Sequence, residues 1–195
     1  MLFRSLAVKR CGIAGCALAQ ARHGLEGELG LRTLELPMGA VCRTPEFAAF
    51  ALSILTELPR FHRCYNDAAN HYRQAHGIRS SAHPVPNLSE DGEWFEAPMW
   101  VYGDDAPQRK PVWVKLSDDH LVLSDRGTRE HRVDIRFPQL AAEQLASFAS
   151  PNFKLRPRAL LTTMYARLVL SDLFLHGIGG GKYDQLKDRK STRLN

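Results

Sequence analysis

Two adjoining stretches with helical spacing of apolar residues occupy residues 44–76. Thr44 followed by Pro45 pairs an N-cap residue with a first-turn proline, so a helix is predicted to begin there. The apolar positions before Pro59 recur three and four residues apart: Phe47, Phe50, Ala51, Ile54, Leu55 and Leu58. Pro59 is predicted to break or kink the helix. The same spacing then continues in a second amphipathic segment: Phe61, Cys64, Tyr65, Ala68, Ala69 and Tyr72.

The spacing of apolar residues is no longer helical in residues 94–137, and this region is predicted to be rich in β-structure. Three short runs combine aromatic and β-branched residues: Met99-Trp100-Val101-Tyr102, Val112-Trp113-Val114-Lys115-Leu116 and His120-Leu121-Val122-Leu123. The Ser117-Asp118-Asp119 connection is short enough to close a hairpin between the last two runs. A further strand is predicted from the alternation of Val133, Ile135 and Phe137 with Arg132, Asp134 and Arg136.

Residues 138–187 return to helical spacing and end in a glycine-rich loop. Pro138 is predicted to open one helix and Pro157 another. The apolar stripe of the second helix contains Leu160, Leu161, Met164, Tyr165, Leu168 and Val169, and it leaves Arg158, Thr162, Thr163 and Arg167 on a polar side. Helices and strands therefore occur in one chain, and the pattern predicts a single α/β domain over residues 1–187.

The last eight residues, 188–195, match a translated sequencing-library adapter at every codon, so they are interpreted as an artefact and the chain as a fragment truncated at its C-terminus. Without them, the charge falls from +5 to +3, with 23 Lys and Arg against 20 Asp and Glu. The remaining cations alternate with acids and form no long basic run. Nucleic-acid binding is therefore not favoured.

The composition is that of a globular protein, with 44% hydrophobic and 24% charged residues. No apolar stretch reaches the roughly 20 residues of a membrane-spanning helix, so no membrane contact is predicted. The four cysteines have no metal-binding spacing, and a reducing cytoplasm is the predicted location. The alternative is a secretory signal, because cations precede the short apolar run at residues 11–19.

The loop at residues 176–182 is the candidate anion site. It offers His176, Gly177, Gly179, Gly180, Gly181 and Lys182 ahead of a predicted helix start at Tyr183. Successive backbone N–H groups in such a loop can bind an anionic group. The spacing fits neither a Walker A loop nor a dinucleotide fingerprint. An anion site and a plain tight turn with Lys182 in solvent both remain open.

Residues 150–157, Ser-Pro-Asn-Phe-Lys-Leu-Arg-Pro, resemble the S-P-N-x-x-L-R-P stretch of the bacillithiol-biosynthesis cysteine-adding enzyme family. The resemblance implies a cytoplasmic protein with a Rossmann-like core, here with a β-hairpin insertion. It also implies an enzyme that joins cysteine to an amino-sugar conjugate through an amide bond. That family's glycine turn contains an acidic residue that this chain lacks, so the role of that acid is not carried over. The stretch is also similar to uncharacterised bacterial proteins that contain H-G-I-G-G-x-K-Y-D.

Two functions follow as hypotheses. The first is a small-molecule ligase, or a degenerate relative of one, in which Arg156, Arg158 and Thr162 join the 176–182 loop around an anionic small-molecule ligand. The second is a non-catalytic small-molecule-binding or scaffolding protein. It is favoured because no paired carboxylates, nucleophile-base pair or metal-binding cluster is visible in the sequence. Cofactor, substrate and oligomeric state are not predicted.

Overall fold

The computed structural model describes residues 14–175. The chain divides into two compact units, Met1–Val41 and Cys42–Asn195. In the first unit, helix α1 (Ala14–Glu28) precedes an extended segment and the short helix α2 (Met38–Val41). Two contacts fasten the extended segment to α1: Arg22 pairs with Glu35, and the Thr33 hydroxyl donates to Glu26.

Helices α3 (Pro45–Thr56) and α4 (Leu58–Ala75) begin the second unit. Thr44 is the N-cap of α3, and its Oγ1 accepts the backbone N–H of Phe47 at 3.2 Å. The predicted helix start is therefore confirmed. The predicted break at Pro59 is confirmed as well, because Glu57 separates the two helices and Pro59 lies in the first turn of α4.

An antiparallel sheet forms the centre of the second unit. Its strands are β1 (Glu90–Asp91), β2 (Trp94–Tyr102), β3 (Lys110–Leu116), β4 (His120–Ser124), β5 (Glu130–Asp134) and β6 (Lys154–Pro157). Strands β2 to β5 pair in sequence order, and β1 and β6 both pair with the other edge of β2. Strand β1 takes the Trp94 end of that edge, whereas β6 takes Met99 to Tyr102.

One face of the sheet carries the core. Its side chains are at most 1% exposed: Ala97, Met99, Val101, Val112, Val114, Leu121, Leu123 and Val133. Helix α4 packs against β2, and helix α5 (Pro138–Ser147) packs against α3 and β5. The opposite face, called the polar face below, carries the half-buried side chains Trp94, Trp100, Tyr102, Trp113, Lys115, Lys154 and Arg156.

A mixed α/β fold is therefore shown, but the Rossmann-like core is not confirmed. A Rossmann core consists of parallel strands joined by crossover helices, whereas every pairing of the described strands is antiparallel. The connections at residues 117–119 and 125–129 are too short for a crossover and permit only hairpins. The predicted hairpin between β3 and β4 does form, and it lies within this sheet.

The helix predicted to begin at Pro157 starts later. Pro157 ends strand β6, opposite Met99, and the following helix α6 (Ala159–Tyr165) continues into a π-helical turn, Ala166–Leu170. Proline is tolerated at this position because residue 157 is the last of the short β2–β6 pairing, where a missing backbone N–H breaks no interior hydrogen bond. Leu168 and Val169, assigned to the apolar stripe, are 65% and 46% exposed.

The last predicted strand is also shorter than its sequence pattern. Strand β5 ends at Asp134, and Phe137 is 60% exposed at the N-cap of α5. The start of α5 at Pro138 is confirmed. The glycine loop at 176–182 and the tail at 188–195 lie outside the described residues.

The structure bears only in part on two further predictions, which concern membrane contact and a cytoplasmic location. Within residues 14–175, no helix combines the length and hydropathy that crossing a bilayer requires. Cys16 is disulfide-bonded, whereas Cys42 and Cys64 are free. The disulfide at Cys16 does not support the predicted reducing environment, and a cytoplasmic location stays a prediction.

Candidate functional site

The structure places one of the predicted site residues, Arg156, in strand β6, beside Lys154, which was not predicted as a site residue. Arg156 and Lys154 are two residues apart, so they point to the same side, and their partners on β2 are Trp100 and Tyr102. Arg158 follows β6 directly, and its backbone N–H donates to Pro98. Alternation along two paired strands thus brings cations and aromatic rings together on the polar face.

Arg158 is already engaged within the protein. Its guanidinium lies 4.0 Å from the centre of the Trp100 ring and forms an ion pair with Glu96. Both charged side chains are about nine-tenths buried, with 11% and 10% exposure. The other oxygen of Glu96 accepts the Ser89 N–H at 2.9 Å. The ion pair links the start of α6 to β2, and the Nε atom of Arg158 is buried without a hydrogen-bond partner among the described residues.

Thr162 does not join the site. Its Oγ1 donates to the backbone oxygen of Arg158 at 3.1 Å, within the first turn of α6. Such back-bonding satisfies the hydroxyl locally. The remaining predicted site residues, His176, Gly177, Gly179, Gly180, Gly181 and Lys182, are outside the described part of the chain.

Three cations surround the ring of Tyr102. The charged ends of Arg109, Lys154 and Arg156 lie 5.8, 5.9 and 5.9 Å from the ring centre. These four residues are called the Tyr102 cluster. Lys154 pairs with Asp104, whereas no described carboxylate lies within ion-pair distance of Arg109 or Arg156. The cluster therefore carries two uncompensated guanidinium groups at the outer limit of cation–π contact.

The cluster depends on a close approach at the end of β2. Asp104 donates its backbone N–H to the Pro151 oxygen at 2.9 Å. A Cβ atom on Gly103 would lie 2.5 Å from the backbone oxygen of Asn152, so only glycine fits. This approach holds the segment before β6, and with it Lys154 and Arg156, next to Tyr102.

A buried ion network supports the loops on either side of the cluster. Asp125, with its side chain fully buried, pairs with Lys110 at 3.1 Å and with Arg129 at 3.4 Å. Arg129 continues to Asp105 at 2.6 Å and to the backbone oxygen of Asn152 at 2.9 Å. These contacts, called the Asp125 network, join the loop that carries Arg109 to the segment that precedes Lys154.

Sequence reasoning missed both Tyr102 and the Asp125 network. Tyr102 was interpreted only as a strand residue, and Arg109 was not singled out. The one available signal was Asp125-Arg126-Gly127 after a strand, which is turn chemistry. The convergence of Lys110, Asp105 and Asn152 on that turn has no counterpart in the local sequence.

Cys42 is the thiol beside this site. Burial raises the pKa of Cys42 to about 11, against the opposing effect of the Arg156 guanidinium. The thiol is therefore protonated at neutral pH and is a poor nucleophile. The adjoining cavity, between Cys42, Phe47 and Leu145, has a volume of about 20 Å³. That is room for a single water molecule rather than a substrate.

The first unit contains a larger groove, which is considered by itself. It has a volume of about 630 Å³ and lies between α1 and the extended segment, with Ala19, His23, Leu34 and Pro37 among its lining residues. Its size is that of a small-molecule site. Its acidic residue, Glu35, is already paired with Arg22, so the groove offers mainly apolar surface.

Within residues 14–175, no three His, Cys, Asp or Glu side chains come together as metal ligands. The Tyr102 cluster brings together two guanidinium groups that have no carboxylate partner among the described residues, and it is the candidate site. The chain matches no protein-family model, no curated protein and no solved structure. The resemblance of residues 150–157 to the cysteine-adding enzymes accordingly stays a prediction, and the site is interpreted from its own geometry.

Proposed function

We propose that this protein binds an anionic ligand at the Tyr102 cluster and acts through binding rather than catalysis. The observation that carries the proposal is the convergence of Arg109 and Arg156, both without a carboxylate partner among the described residues, on one half-buried aromatic ring. Because both positive charges lie within about 6 Å of the Tyr102 ring centre, an anion bound beside that ring would be attracted by both.

The residue types indicate the ligand's chemistry. Arginine presents a planar set of donors that matches a phosphate or a carboxylate in a bidentate manner. An aromatic ring adds a surface on which a planar group can stack. A ligand that combines a phosphate with a planar ring, such as a nucleotide, would use both parts of the cluster.

Binding is favoured over catalysis by the state of the neighbouring groups. The buried Cys42 thiol has a raised pKa of about 11, so it is not an activated nucleophile at neutral pH. Arg158 is held by Glu96 and Trp100. The Tyr102 cluster therefore offers guanidinium groups that can bind an anion and a ring on which a planar group can stack.

The ligase hypothesis is the second candidate, and its support is the resemblance of residues 150–157. Under that hypothesis, Arg156 would hold the acidic group of a substrate, and Arg158 would position α6 rather than contact the ligand. Amide-bond formation from cysteine and an amino-sugar conjugate would favour the ligase. Binding without turnover would favour the first proposal.

The test is titration of the full chain with adenosine monophosphate and pyrophosphate by calorimetry, for the wild type and for Arg156→Gln. Loss of one charged hydrogen-bonding partner is expected to weaken binding roughly 10- to 100-fold. Arg136→Gln is the matched control, because Arg136 is an exposed guanidinium paired with Asp134 away from Tyr102. Equal affinity of all three proteins, or no binding to the wild type, would contradict the proposal.

A further inference from the structure

The geometry points to a single-stranded nucleic acid as the occupant of the polar face, with the Tyr102 cluster as one contact and a tryptophan pair as another. This inference rests on the proposed function, because it names the class of anionic ligand. It extends the site from one ring to the length of strand β2.

The second contact lies at the opposite end of β2. Trp94 pairs across the sheet with Lys115, and Trp113 pairs with Glu96, so the two tryptophans are diagonal neighbours on adjoining strands. The Arg126 guanidinium lies 5.0 Å from the ring centre of Trp94 and 5.8 Å from that of Trp113. A second group of aromatic rings with a cation is thus present on the same face.

The separation of the two contacts suits an extended strand. Trp94 and Tyr102 are eight residues apart on β2, which at about 3.3 Å per residue is at most about 26 Å. Unpaired bases can stack on the accessible parts of half-buried rings along such a path, while the phosphates follow the cations. A duplex keeps its bases inside and cannot use the rings in this way.

Charge differs between the two ends and predicts different roles for them. At the Trp94 end, Arg126 pairs with Asp91 and Lys115 pairs with Glu93, so positive charge is balanced. At the Tyr102 end, Arg109 and Arg156 have no carboxylate partner among the described residues. Phosphate attraction is therefore expected mainly at Tyr102 and base stacking mainly at Trp94 and Trp113.

The absence of a basic run in the sequence does not weigh against this arrangement. Arg109 and Arg126 come from two different loops, whereas Lys154 and Arg156 both come from strand β6, and the antiparallel sheet brings these cations to one face. Without residues 188–195 the chain has a charge of +3. A nucleic-acid surface assembled in this way is invisible to a search for consecutive cations.

The experiment measures fluorescence anisotropy of a labelled oligothymidylate of about six nucleotides, within the range bound by single-strand modules. Adenosine monophosphate and a hairpin duplex are the comparison ligands. The oligonucleotide is expected to bind more tightly than either, and with three cations involved its affinity should fall about 20-fold between about 50 and 200 mM salt.

Two substitutions separate the contacts. Trp94→Leu keeps an apolar side chain but removes a stacking surface. It is expected to weaken oligonucleotide binding about 10-fold and to leave the affinity for adenosine monophosphate unchanged. Trp94→Phe should restore most of that loss, which a mere folding defect would not. Arg156→Gln should lower the affinity for both the oligonucleotide and adenosine monophosphate.

The outcomes distinguish the two proposals. If adenosine monophosphate binds in an Arg156-dependent way but the oligonucleotide binds no more tightly, the nucleic-acid inference is overturned and the proposed function stands. Equal binding of the duplex also overturns the inference. If no ligand binds, both proposals fail.

Discussion

Asp125 is the residue on which the polar contacts of the β4–β5 connection converge. Its Oδ1 accepts the backbone N–H groups of Gly127 at 2.9 Å and Arg129 at 3.0 Å, and its Oδ2 faces the Lys110 ammonium. Burial alone would raise the pKa of Asp125, but these donors together outweigh burial and lower it. The ionised carboxylate is therefore the form that the folded protein stabilises.

Replacement of Asp125 should be costly for this reason. Asp125→Asn keeps the shape but removes the charge facing Lys110 and Arg129, and a loss of about 2 kcal/mol in the free energy of unfolding is expected. Asp125→Ala also removes the hydrogen bonds, and about 3 to 5 kcal/mol is expected. Urea unfolding followed by tryptophan fluorescence measures both, because all three tryptophans lie in the second unit.

The pH dependence and a matched control complete this test. A lowered pKa means that the stabilisation is present above the pKa of an unfolded aspartate, about 4, and is lost as pH falls through the lower folded value. The difference between wild type and Asp125→Asn should therefore shrink below about pH 4. Asp91→Asn, at an exposed pair with Arg126, should cost nothing measurable. Equal effects at the two positions would refute the account.

At the scale of elements, the decisive feature is the outer edge of strand β2. Two short strands share it, with β1 opposite Trp94 and Phe95 and β6 opposite Met99 to Tyr102. Strand β6 is far from β2 in sequence and has only four residues, so its own ladder is small. Its position depends on the contact between Gly103 and the backbone of Asn152 directly after β2.

Gly103→Ala should loosen this edge. The added Cβ would meet the backbone oxygen of Asn152 at 2.5 Å, and a backbone atom cannot move aside as a flexible side chain can. A loss of about 2 kcal/mol is expected, as for overpacking in general, together with weaker ligand binding at the Tyr102 cluster. Gly27→Ala, in helix α1 with open space around it, is the control and should cost no stability. Unfolding curves and ligand titration of both variants provide the check.

For the second unit as a whole, two buried groups set an alkaline limit to stability. Burial raises the pKa of Cys42 from 9.0 to about 11 and that of Tyr65 from 10.0 to about 12. Above the unfolded values, the unfolded chain releases protons that the folded protein retains. The free energy of unfolding should therefore fall as pH rises beyond about 9.

Cys42→Ala removes the first of these groups and should make the loss begin about one pH unit later, where Tyr65 starts to contribute. Cys64→Ala removes the other free, but less buried, thiol and should leave the alkaline fall in place. Chemical unfolding at a series of pH values from neutral to alkaline measures both. An unchanged pH profile for Cys42→Ala would contradict the assignment.

Short-range sequence patterns correctly predicted some of the helix starts and turns of this protein. The start of α3 was predictable because the Thr44 hydroxyl and Pro45 act within one turn of each other. The β3–β4 hairpin was predictable because its connection is too short for anything else. Pro157 misled the prediction, since a proline is acceptable both at a helix start and at the end of an edge strand, and only its pairing opposite Met99 decides between them.

The sequence by itself determined the elements and their mixture, because caps, turns and apolar periods act over a few residues. It also pointed to Arg156 as a candidate site residue. Only the tertiary structure decided that β6 lies at the outer edge of β2, that Arg158 is held by Glu96, and that Arg109 and Lys154 join Arg156 around Tyr102. Those outcomes depend on pairing between strands distant in the chain, and no local pattern records which strand will lie beside β2.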